Sequence, residues 1–73
     1  MSDFNVLVAQ HARHYVVREE IVQACLTAIR NKAAAQWTPE QIAEWFHSTV
    51  GPDTPYSRPE IVQDTLAALA ALA

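Results

Sequence analysis

The chain has 73 residues, 51% hydrophobic and 18% charged, with one glycine, one cysteine and a formal charge of −3. That length fills one core and no more, and the apolar content excludes a disordered tail. A surplus of acidic residues argues against a surface built to grip phosphates, which needs clustered Lys and Arg.

Residues 1–17 are read as a short extended element. Phe4, Val6 and Val8 alternate with Asn5, Leu7 and Ala9, and Tyr15-Val16-Val17 is a second β-prone run. The pair is compatible with a small two-stranded ribbon, and an N-terminal helix is the alternative, since 9–14 has no Gly, Pro or Asn to turn on.

A helix is predicted over about 18–32. Ile21, Val22, Cys25, Leu26 and Ile29 recur at helical spacing, with Arg30 and Lys32 near the end where cations suit the dipole. Residues 33–37 either extend it or form a linker.

The next two helices carry start signals. Thr38-Pro39-Glu40-Gln41 combines an N-cap threonine, a proline at the first helical position and a glutamine at N3. Ile42, Trp45 and Phe46 form the inner stripe of a helix over 38–50, and Gly51-Pro52 ends it. Trp37, just before the cap, reads equally as a hydrophobic staple. Ser57-Arg58-Pro59-Glu60 repeats the device and opens a helix over 58–72, striped by Ile61, Val62, Thr65, Leu66, Leu69 and Leu72. The expected fold is mainly α: a single domain of three helices with an extended N-terminal element. Its core is Ile21, Val22, Leu26, Ile29, Ile42, Trp45, Phe46, Ile61, Leu66 and Leu69.

The chemistry available to these residues is sparse. A lone glycine leaves no dinucleotide loop or phosphate cradle. Cys25 lies in an apolar stripe and reads as a small buried hydrophobe. His11 and His14 are one ligand pair where a structural zinc site shows two, so no metal and no cofactor is expected. Glu44 and His47, three apart on one helix, read as a solvated pair beside Ser48. No enzyme is predicted. With one cysteine, no basic N-terminal signal region and no apolar run near the roughly 20 residues of a membrane span, the expected location is the cytoplasm.

Charge is uneven: residues 1–32 carry a net +1 and residues 33–73 a net −4. The acidic half is expected to avoid nucleic acid and to favour basic partner surfaces. Protein binding is the reading with positive support, because large apolar groups are many for so short a chain. The candidate contacts are Phe4, Val6, Val8, Arg13, His14 and Tyr15, the large side chains least claimed by helical stripes.

The length, the opening Met1-Ser2-Asp3-Phe4-Asn5-Val6-Leu7-Val8 and the arginine- and alanine-rich composition resemble the small phage-encoded proteins that bind bacterial host RNA polymerase. The resemblance implies a factor that docks on the polymerase β and β′ subunits, without binding nucleic acid itself. It would inhibit σ-dependent initiation and act as an antiterminator. The alternative is a small DNA-binding repressor or antirepressor, since two capped helices outline a helix-turn-helix, with 66–73 as a dimer seam.

Overall fold

Four α-helices and one 3₁₀ turn make up the molecule: α1 Asp3–Tyr15, α2 Glu19–Ala34, α3 Pro39–Thr49, the 3₁₀ turn Pro55–Ser57 and α4 Pro59–Ala70. The structure, a computed structural model, describes residues 3–72. α1 packs along α2 and α3 along α4, with α2 touching both later helices. The Cα radius of gyration, 11.2 Å, is what a compact single domain of this length requires.

The extended N-terminal element is corrected to a helix, so the domain has four helices rather than three. The reason is the period of the buried set. Phe4, Leu7, Val8, His11, Ala12 and Tyr15 are buried or half-buried along α1, spaced three and four apart with half-buried Ala9 beside them, while Asp3, Val6, Gln10, Arg13 and His14 face solvent. The apparent two-residue alternation covers only five residues and is outweighed by a stripe spanning three turns.

Four helix ends have a local cause. α1 stops because Val16 takes a left-handed backbone, φ 56°, and the Val17 N–H returns to the Ala12 carbonyl at 3.0 Å. α2 ends alike: Gln36 has φ 72°, and Trp37 N–H reaches the Lys32 carbonyl at 3.0 Å. It therefore runs two residues past the expected 32. α3 starts on the capping box foreseen, with Gln41 N–H donating to Thr38 Oγ1 at 3.1 Å and Thr38 N–H to Gln41 Oε1 at 2.9 Å. It ends at Gly51, whose φ of 133° a residue with a Cβ rarely adopts.

The second capping box does not form. Arg58 occupies the N-cap of α4 without a side-chain cap bond, and the Ser57 hydroxyl lies within donating distance of the Thr54 carbonyl at 2.7 Å and the Pro52 carbonyl at 3.1 Å. A hydroxyl that ties the 50–58 connection together cannot also cap the following helix.

The core consists of Leu7, Val8, Val22, Cys25, Leu26, Ile29, Ile42, Ala43, Phe46, Tyr56 and Val62, with Trp45, Ile61, Leu66, Leu69 and Leu72 packed half-buried against it. Two expectations change here. Ile21 is 48% exposed, because it sits at the edge of the α2 stripe, one hundred degrees around the helix from Val22. Tyr56 is the largest fully buried side chain, carried inward by the 3₁₀ turn. Thr65 is buried too, its hydroxyl donating to the Ile61 carbonyl at 2.7 Å. Among the described residues no helix is long and apolar enough to cross a membrane.

Candidate protein-docking surface

The six contact residues expected from the sequence all lie on α1, and the helix divides them between two faces. Val6, Arg13 and His14 point to solvent, on one strip with Asp3 and Gln10. Val8 is 4% exposed and belongs to the core, so its side chain has no surface left to offer a partner. Phe4 and Tyr15 are half-buried; the Arg30 guanidinium covers the Phe4 ring at 5.0 Å from its centroid. That contact joins α1 to α2 through a cation on an aromatic face.

The C-terminal end of α1 is where side-chain chemistry concentrates. An open hollow of about 510 Å³ is lined by Gln10, His11, Arg13, His14 and Tyr15. Arg13 and His14 stand in the last turn, where exposed carbonyls favour cations. Tyr15 is boxed edge-on by His14 at 4.7 Å, by His11 at 5.4 Å and by Tyr56 at 6.0 Å between ring centroids. Edge-to-face contacts of this kind fix ring orientation and contribute roughly 0.5–1.5 kcal/mol each.

Beneath them a polar pair anchors the helix. His11 Nδ1 lies 3.0 Å from the Tyr56 hydroxyl, and the two rings are nearly parallel, 8° apart with centroids 6.1 Å apart. A buried phenol needs such a partner, since an unsatisfied hydroxyl costs about 1–3 kcal/mol. Burial, and after it the nearby His14, lowers the His11 imidazole below its ordinary value of 6.5. The phenol of Tyr56 is pushed well above the usual range, chiefly by burial, with Cys25 and Tyr15 adding to it. At neutral pH the pair is therefore a neutral imidazole hydrogen-bonded to a neutral phenol.

Val16 completes the surface. It is 90% exposed and adopts φ 56°, a conformation that is unfavourable by roughly 1–2 kcal/mol for any residue with a Cβ and more crowded for a β-branched one. On the backbone the conformation is offset by the Val17 N–H to Ala12 carbonyl bond that closes α1, whereas the side chain itself is left in solvent. Sequence reading saw Val16 only as part of a β-prone run. Its one local hint was Tyr15-Val16-Val17-Arg18 lying between two helical stripes without Gly or Asn.

The other groups with chemical potential stay apart. Cys25 is buried on α2 and its thiol is raised by desolvation, whereas Glu44, His47 and Ser48 are exposed along α3. Among the described residues no three His, Cys, Asp or Glu side chains gather into a metal-binding group. α3 and α4 are separated by residues 50–58, a longer connection than the three or four residues of a helix-turn-helix, and α4 turns Gln63 and Asp64 outward. Leu66, Leu69 and Leu72 pack half-buried against the core, and Ala73 of the expected 66–73 seam lies outside the described residues. Comparison with protein-family models, with curated proteins and with solved structures finds no match to this chain.

Proposed function

We propose that this chain is a protein-binding regulator that docks through the C-terminal end of α1 and acts by binding rather than turnover. The observation that carries the reading is Val16: a β-branched residue held left-handed with its side chain in solvent, beside Arg13, His14 and Tyr15. An apolar β-branched side chain that gains nothing inside its own fold, at a position where the backbone favours glycine, is understandable where it meets a partner. The flanking Arg13 guanidinium favours an acidic rim on that partner.

The partner proposed is bacterial RNA polymerase, contacted on β or β′. This choice is supported by the resemblance of the chain to phage-encoded polymerase-binding proteins and not by its geometry. Docking there would inhibit σ-dependent initiation and let the elongating enzyme pass terminators, because a ligand shifts a conformational equilibrium by its differential affinity for the two states.

The test separates fold from function. V16G relieves the backbone and is expected to stabilise the domain by about 1 kcal/mol, while weakening capture of purified core polymerase at least several-fold. R13E is expected to weaken capture with little change in melting temperature. Full polymerase binding by both variants would refute the assigned surface; absence of binding by the wild-type chain would refute the partner.

A further inference from the structure

Where α2 leads into α3, a cation is held against two indoles. Lys32, in the last turn of α2, places Nζ 3.9 Å from the Trp45 ring centroid and 4.7 Å from that of Trp37. These are the only tryptophans in the chain. Trp37 remains 37% exposed, and both rings line an open groove of about 520 Å³ with Gln36, Gln41, Glu44 and Ser48. Lys32 is not part of the groove lining and reaches the two rings from the end of α2.

We propose that the Trp37–Trp45 pair is a binding site for a quaternary ammonium group, with Lys32 as its internal occupant. Three features support that chemical class. Two indole faces converge on one cation, the arrangement that attracts an organic ammonium through the ring quadrupoles. The groove beside them carries the Glu44 carboxylate and no cationic side chain in its lining, so its charge complements a cation. Indole faces accept no ordinary hydrogen bond, and a quaternary ammonium has no N–H to leave unsatisfied, unlike the primary ammonium of Lys32. The tethered lysine competes with any ligand from within, so the apparent affinity of the wild-type chain is reduced by the fraction of time that Lys32 lies on the rings.

The probe is tetramethylammonium chloride, titrated at constant ionic strength against sodium chloride and followed by tryptophan fluorescence. Circular dichroism verifies folding of each variant. Weak saturable quenching is expected for wild type and about tenfold tighter binding for K32S, the factor that follows from losing a cation–π contact to each of two rings. E44Q in the K32S background should weaken binding, and W37A in that background should abolish it. If K32S is poorly folded, K32Q serves in its place, since it also removes the charge. An unchanged affinity on removal of the Lys32 charge, or an equal response to sodium chloride, would overturn the proposal.

Discussion

The polar contact between His11 and Tyr56 permits a sharp test of how α1 is held. Y56F keeps the ring in a site that is 1% exposed and removes only the hydroxyl 3.0 Å from Nδ1. Packing is preserved and no buried group is orphaned on the tyrosine side, while the half-buried imidazole can turn to water. The expected cost is therefore that of one net hydrogen bond, about 1 kcal/mol. H11F keeps a ring stacked on Tyr56 but leaves the phenol buried without its hydrogen-bond partner, which costs about 1–3 kcal/mol. The double variant H11F/Y56F removes both polar partners and should be more stable than H11F alone. Urea unfolding measures all four proteins, with midpoints compared at unchanged m-value. For a chain of this size each kcal/mol corresponds to roughly 4–8 °C in melting temperature. If Y56F proved as damaging as H11F, or if the two costs simply added, the contact would not be the anchor described.

Three further expectations follow from single features. Because the folded His11 is held below its unfolded value of 6.5, the unfolded chain takes up the proton first. Its contribution to stability is then present above pH 6.5 and lost as pH falls from there to the folded value, and H11F should lose this component of the pH profile in urea titrations from pH 8 to pH 5. T38A removes the side-chain half of a formed capping box and should cost about 1 kcal/mol, read by thermal unfolding. A loss near zero would mean that water caps α3 equally well. Cys25 is buried with its thiol raised by desolvation, so alkylation at pH 8 should be slow in buffer and accelerate with urea in parallel with unfolding; rapid modification of the folded protein would contradict its placement.

The sequence alone determined those features whose causes lie within a few residues. Thr38, Pro39 and Gln41 define the start of α3 through bonds spanning three positions, and Gly51 marks its end through one backbone torsion. The stripe from Val22 to Ile29 is legible because all its buried members are apolar. The tertiary structure decided the rest. The inner stripe of α1 contains His11 and Ala12, so its period is hidden until Tyr56, 45 residues away, supplies the hydroxyl that makes a histidine acceptable there. Ser57 had two available roles, and the fold of 50–58 assigned its hydroxyl to that connection. Ile21 could not be placed from its spacing, since adjacent apolar residues 21 and 22 lie about 100° apart on the helix and only the packed neighbours decide which of them sits at the edge. Of the expected contacts, Val6, Arg13 and His14 were separated from Phe4, Val8 and Tyr15 only by the helical twist of α1. Alternation and helical period agree over so few residues, and long-range packing chose between them.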